Sequence, residues 1–238
     1  MATKVGNNIE TANAGWNFGG NVPDNFVSHI RQSVPLYEEG HSLVCQLSDY
    51  FVSSTSTVYE IGVSTGELLR KVAVHNAHRQ GAQFIGMDVE DAMTKKARAH
   101  TADVPSITIL DEDARTFPFE KSDLIISYYT LQFIPPRDRQ DLFNKLYEAL
   151  NWGGALIMFE KVRAPDARFQ DMAVGLYNEF KLQQGFDHEE ILSKTLSLKG
   201  VLEPFSTEGN LALIKRAGFV DVMTIMKYVC FEGFVAIK

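Results

Sequence analysis

Residues 58–66, Val-Tyr-Glu-Ile-Gly-Val-Ser-Thr-Gly, constrain what this chain can fold into more than any other stretch. An apolar run ends in an acid, a Gly-x-Ser-x-Gly turn follows, and Glu67-Leu-Leu-Arg-Lys-Val-Ala then reads as a helix. Glycine lacks a Cβ and tolerates positive φ, so such a strand–turn–helix unit lets backbone N–H groups approach a ligand closely. The carboxylate of Glu60 at the mouth of the turn would repel a phosphate and suits a cation.

The chain then keeps alternating. Residues 84–88, 106–110, 124–128 and 155–159 are short apolar strands, and 139–150 is a helix closing on Asn151-Trp-Gly-Gly154, read as a glycine cap. This pattern predicts an α/β fold with a parallel sheet covered on both faces. Residues 163–210 interrupt it with charged helical segments. A helix over 211–217, stopped by Gly218, and strands at 222–231 and 233–237 complete the chain, with Glu232-Gly233 as the hairpin signal. Upstream, residues 1–22 read as a loose Gly/Asn-rich arm, carrying Trp16 and Phe18 and able to order over a neighbour, and two helices precede the polar turn 53–57. The expected division is an N-terminal arm and cofactor-covering helices (1–52), a cofactor-binding core (53–162), a helical lid for the acceptor (163–210) and a closing helix and hairpin (211–238).

Ligands of open parallel sheets bind off the carboxyl ends of the strands. Three acids fall there: Glu60, Asp88 and Asp113. Asp88 follows Gly62 by 26 residues, close to the spacing of an acid that accepts both hydroxyls of a ribose. Asp113, with the Ala114 N–H, can read an adenine edge, while Ser64 in the turn and Val89 after Asp88 complete the expected contacts. A dinucleotide would require Gly-x-Gly-x-x-Gly and a helix N-terminus free of acids. Glu67 and the acidic loop Asp111-Glu-Asp113 fit S-adenosylmethionine (SAM), a cationic nucleoside, better.

A net charge of −7 argues against a nucleic-acid partner, which needs a basic surface. Cys45 and Cys230 lack metal-ligand spacing, and no His/Cys grouping predicts a metal. There is neither an N-terminal apolar leader nor a run of about 18 apolar residues, so a cytoplasmic protein without a membrane span is expected.

With those residues placed, the chain resembles the class I SAM-dependent methyltransferases and, within them, the carboxy-SAM synthase family. The strings that carry this are Ile30-Arg-Gln-Ser-Val-Pro-Leu-Tyr37, residues 59–66, Thr130-Leu-Gln-Phe-Ile-Pro135, Leu150-Asn-Trp-Gly-Gly154, Glu160-Lys161, Lys215-Arg-Ala-Gly-Phe219 and Val235-Ala-Ile-Lys238. The resemblance implies a Rossmann-like, seven-stranded, mostly parallel sheet with an antiparallel C-terminal hairpin, and a homodimer. It implies SAM contacts at Tyr37, Gly62, Asp88 and Asp113, with Tyr128 where the family has an asparagine. The family's carboxylate-binding arginine aligns with Thr195, and neither Thr195 nor Lys194 supplies a bidentate cationic fork.

The expectation is therefore a SAM-dependent methyltransferase acting on a small-molecule acceptor, in secondary metabolism for example. Carboxy-SAM synthesis or other non-methyl SAM chemistry and a non-catalytic SAM-binding module are the alternatives. Tyr129 is the favoured acceptor-facing residue. His29, His41, His188 and Glu160 are candidate bases, with Glu160 paired to Lys161 as the structural alternative. Tyr177, Phe180 and Lys181 are expected to wall the acceptor pocket.

Overall fold

The computed structural model describes residues 3–20 and 22–238; Met1, Ala2 and Asn21 of the expected arm lie outside them. A seven-stranded sheet forms the centre. Its strands are β3 (Thr57–Ile61), β4 (Gln83–Asp88), β5 (Ile107–Asp111), β6 (Ser122–Tyr128), β7 (Leu150–Lys161), β8 (Asp221–Tyr228) and β9 (Phe231–Ile237), in the order β5-β4-β3-β6-β7-β9-β8. The pairs from β5 to β7 are parallel, and β9 runs antiparallel between β7 and β8. The order reverses between β3 and β6, and a crevice opens there at the carboxyl ends.

Strand alternation sorts the core into two layers. Val58, Leu124, Ile126, Ala155, Ile157 and Phe159 pack on one face with Val44 of α2 (Tyr37–Ser48) and Leu68, Leu69 and Val72 of α3 (Glu67–His75). Tyr59, Ile61, Ile125, Leu156 and Met158 pack on the other with Leu142, Phe143 and Leu146 of α5 (Pro136–Ala149) and Leu213 and Ile214 of α8 (Thr207–Ala217). Burial on both faces explains why these strands read as continuous apolar runs. Gly218, at φ 120°, ends α8 as expected.

Three local expectations change. The arm is not loose: β1 (Thr3–Lys4) pairs with β2 (Glu10–Thr11), and Val5, Ile9 and Trp16 are buried with Val22 of α1 (Val22–Ser33) and Met93 of α4 (Asp91–Thr101). The stretch 151–154 is no helix cap. Helix α5 ends at Ala149, Leu150 is already extended, and residues 151–154 begin β7 through a register shift against Ser122/Leu124. The hairpin turns at Val229-Cys230, not at Glu232-Gly233. Gly233 has another reason to be glycine, since a Cβ there would stand 2.6 Å from the Phe159 ring.

The segment 163–210 contains α6 (Ala167–Gln183) and α7 (His188–Ser197), whose capping box joins Asp187 and Glu190. The Tyr177 hydroxyl donates to the Ser33 carbonyl (2.9 Å), tying α6 to the end of α1 above the crevice.

Replacing Gly233 by Ala overpacks the β7–β9 contact, and a loss of about 1–3 kcal/mol is expected in denaturant unfolding of the variant.

Candidate active site

A cavity of about 850 Å³ opens off the carboxyl ends of β3 to β7, roofed by α1, the 3–20 arm and the 163–210 segment. Tyr37, Glu60, Gly62, Ser64, Asp88, Val89, Asp113, Ala114 and Tyr128 all line it, so the nine residues expected from the sequence to contact a cofactor converge on one space.

The turn after β3 is built for close approach. Gly62 and Gly66 have φ of 71° and 83°, and Ser64 takes φ 51° between them. A Cβ on Gly62 would collide with the Thr130 side chain. Asp88 joins this turn to the loop after β4: Oδ2 accepts the Ser64 N–H and Oδ1 the Glu90 N–H, each at 3.0 Å. Burial raises the Asp88 pKa, and the two N–H bonds oppose that rise. Each oxygen keeps a lone pair for a hydroxyl donor.

Glu60 is buried at 3% exposure, and its Oε2 has no hydrogen-bond partner among the described residues. Burial raises its pKa well above the carboxylate range, with the Leu69 N–H bond acting against it. An orphaned buried carboxyl oxygen is costly unless a ligand satisfies it, and a cationic ligand does so. Asp113 is held by Arg115, which also pairs with Asp138 at 3.0 Å; the Arg115 bond depresses the Asp113 pKa. Glu60 and Asp88 thus fit a cationic nucleoside better than a phosphate, which their carboxylates would repel, and the Arg115 guanidinium at this end is taken by Asp113 and Asp138.

Tyr128 has a role the sequence did not reveal. Its hydroxyl donates to the Tyr37 carbonyl (2.8 Å), fixing the start of α2, where Leu36 sits at φ 55°. Gly40 lets the helix come this close, because a Cβ there would meet the Tyr128 hydroxyl. The Tyr37 ring then packs on His41 and Tyr128 (centroids 4.4 and 5.4 Å) at the cavity wall.

Of the catalytic candidates, Tyr129 and His29 line the cavity and Glu160 does not. Tyr129 is held at φ 59° at the end of β6, a strained conformation of the kind that gathers at sites, but its hydroxyl is fully enclosed. His29 donates its Nδ1–H to Asn7 Oδ1 (3.0 Å), and its Nε2 is likewise shut off from solvent. Glu160 lies beneath the floor, accepting the N–H groups of Leu131 and Gln132; burial pushes its pKa up to about 8. It makes no ion pair with Lys161. His41 lines the cavity and His188 does not.

On the acceptor side Tyr129, Tyr177 and Thr195 line the cavity. Phe180 does not: it stacks behind Tyr177 at 6.4 Å and touches Tyr228. The Thr195 hydroxyl donates to its own helix at the Ile191 carbonyl (2.9 Å). Three lysines also reach this side. Lys161 and Lys181 place their ammonium groups 4.3 and 4.4 Å from the Tyr177 ring centroid, and Lys194 lies 2.7 Å from that of Trp16. Sequence reasoning named them only as a wall residue (Lys181), the partner of Glu160 (Lys161) and a poor substitute for arginine (Lys194).

Residues 58–154 match the family described as a methyltransferase domain. A carboxy-S-adenosyl-L-methionine synthase from Staphylococcus epidermidis is 36% identical, covering 94% of this chain and 97% of that protein. The chain belongs to the carboxy-SAM synthase family. A member from Campylobacter lari is 32% identical over 93% of this chain and 94% of its own. Human N-acetylserotonin methyltransferase in complex with SAM superposes with a TM-score of 0.59 at 16% identity, covering 92% of this chain and 56% of that one. The CurJ carbon methyltransferase gives 0.64 at 15%, covering 91% and 59%. This chain spans less than two thirds of either structure, and the likeness shows the class I methyltransferase fold. SAM is the cofactor of this family. Among the described residues no helix is long and apolar enough to cross a membrane.

Two outcomes are expected. Tyr128→Phe removes one hydrogen bond worth about 1 kcal/mol, so SAM affinity measured by calorimetry falls several-fold as α2 loosens. The second concerns pH. Burial first, and the nearby Lys194 and Lys71 next, lower the pKa of His29 and His41 from 6.5 to about 3. The unfolded chain then binds more protons than the fold between pH 3 and 6.5, so stability falls as pH drops through that window. From pH 6.5 to 5 each histidine costs at most about 2 kcal/mol. Thermal melts of His29→Gln and His41→Gln should each show a flatter pH dependence than the parent.

Proposed function

We propose that this family member transfers the methyl group of SAM to a small-molecule acceptor. The carrying observation is Thr195. It stands where the resemblance puts the carboxylate-gripping arginine, and its hydroxyl is turned onto the Ile191 carbonyl. A carboxylate carried on the sulfonium would lack its planar partner there.

Bound against β3–β5, SAM supplies a methyl already activated for in-line displacement. The protein's task is then positioning and exclusion of water. Asp88 holds the ribose, Glu60 answers the positive charge, and Asp113 with Ala114 receives the base. Tyr37, Tyr128 and Tyr129 give aromatic walls that favour a sulfonium, while the arm, α6 and α7 shield the cavity from solvent. Tyr129 contributes its ring rather than its enclosed hydroxyl. Neither the imidazole of His29, with Nε2 enclosed, nor Glu160, engaged beneath the floor, supports a base role. The charge of −7 supports a small acceptor over a nucleic acid. A cytoplasmic homodimer accords with the family resemblance, and sedimentation at micromolar concentration checks the oligomer.

A second reading, carboxy-SAM synthesis, is favoured by a different observation. Lys161, Lys181 and Lys194, with the exposed Arg163, put uncompensated positive charge on the acceptor side, which would replace the arginine by other means.

Mass spectrometry of the protein incubated with SAM alone and with SAM plus prephenate separates the two. No carboxylated sulfonium is expected, and demethylated cofactor should accumulate only with a methyl acceptor. A carboxylated sulfonium product would overturn the methyl-transfer reading. Tight SAM binding without turnover over a broad acceptor panel would make the protein a binding module.

A further inference from the structure

The cavity is sorted by charge, and the sheet order does the sorting. Glu60, Asp88 and Asp113 project from β3, β4 and the loop after β5, all on one side of β6. Lys161 ends β7 on the other side, and α6 and α7 add Lys181 and Lys194. Acids therefore surround the cofactor end and ammonium groups the acceptor end.

These lysines are not ordinary surface cations. Lys181 is 6% exposed, and none of the three ammonium groups has a hydrogen bond or ion pair among the described residues. Among the described residues their compensation is aromatic: the Tyr177 ring for Lys161 and Lys181, with Phe231 also beneath Lys161, and the Trp16 indole for Lys194. A ring face attracts a cation but supplies no acceptor for its N–H bonds. The nearest carboxylate on these elements that lines the cavity, Glu190, is committed to the N-terminus of α7. The fold thus brings three cations into one partly desolvated space and leaves their donors unfilled, an arrangement that an anion completes.

We propose that the acceptor is an aromatic carboxylic acid whose carboxylate is held by Lys161, Lys181 and Lys194, with Tyr177, Trp16 and Phe186 against its ring. The proposal rests on the methyl-transfer reading for the word acceptor, while the subsite itself stands on the lysines. Binding also draws in a proton. Burial, then the repulsion of Lys161, lowers the Lys181 pKa to about 8, and burial, then Lys181, lowers that of Lys194 well below the ordinary lysine value. The groups facing them are Arg163 after β7, Tyr177 on α6, Cys230 in the β8–β9 turn and His29 on α1, none of which is an anion at neutral pH. A carboxylate raises both lysine pKa values, so its affinity falls as pH rises through the free-state pKa of each lysine, which for Lys181 is about 8.

The test is calorimetric. Protein saturated with S-adenosylhomocysteine is titrated with benzoate, phenylacetate and 3-phenylpropanoate, each against its own primary amide. At least one acid should bind tenfold or more tighter than its amide, with net proton uptake above pH 8 in buffers of different ionisation enthalpy. Lys161→Met and Lys181→Met, which keep the apolar stem, should each lower acid affinity at least tenfold and leave S-adenosylhomocysteine affinity within twofold. Acids and amides binding alike, no acid binding at 10 mM, or acid affinity unmoved in both variants would overturn the proposal. Should a variant fail to fold, proton uptake by the parent protein decides. A carboxylated product from prephenate alongside an intact acid preference removes the methyl-transfer reading and leaves the subsite. Loss of the acid preference alongside a methylated product does the reverse.

Discussion

The Asp88 carboxylate is the point at which this sheet becomes a site. By accepting the N–H groups of Ser64 and Glu90, it locks the turn after β3 to the loop after β4. That lock holds Ser64 in a left-handed conformation and keeps the two glycines where a nucleoside can reach the backbone. Glu60 and Val89 line the same cavity, and the Tyr128 hydroxyl holds Tyr37 at its wall. The charge orders two loops, and in the proposed SAM complex it would also offer acceptor lone pairs to a ribose.

Burial is what makes these charges specific. Glu60, Glu160, Lys181 and Lys194 all have pKa values displaced toward their neutral forms by desolvation. Their environments nonetheless differ. Glu160 lies off the cavity and accepts the backbone N–H groups of Leu131 and Gln132, stabilising the short 3-10 turn at Leu131–Phe133, while its Oε1 has no partner among the described residues. Glu60 and the lysines face the cavity with valences to fill, and those are the positions at which bound ligands change the energetics. A perturbed pKa alone does not mark a functional residue.

Much of this was legible in the chain. Apolar runs ending in Glu60 and Asp88 announce the parallel sheet and put both acids at one cavity, because strand, turn and helix signals are local and strand-end acids need only counting. What escaped was set by contacts distant in sequence. Gly233 reads as a turn glycine until the Phe159 ring is seen against it. Tyr128 reads as a poor substitute for an asparagine until its hydroxyl is found on the Tyr37 carbonyl, 91 positions away. The 3–20 arm reads as loose because a two-residue strand pair carries no periodicity. The three lysines, spread over β7, α6 and α7, converge only through the folding of the 163–210 segment, and no spacing rule announces them.

The most direct test of the account is the affinity of SAM for Asp88→Ala compared with the parent protein, measured by calorimetry, with thermal melts to establish that the variant is folded. Hydrogen bonds from ribose hydroxyls to a carboxylate contribute about 1.5–3 kcal/mol, so affinity should fall by one to two orders of magnitude. Undiminished affinity in a folded variant would mean that the nucleoside binds elsewhere, and the cavity off β3–β5 would lose its assignment.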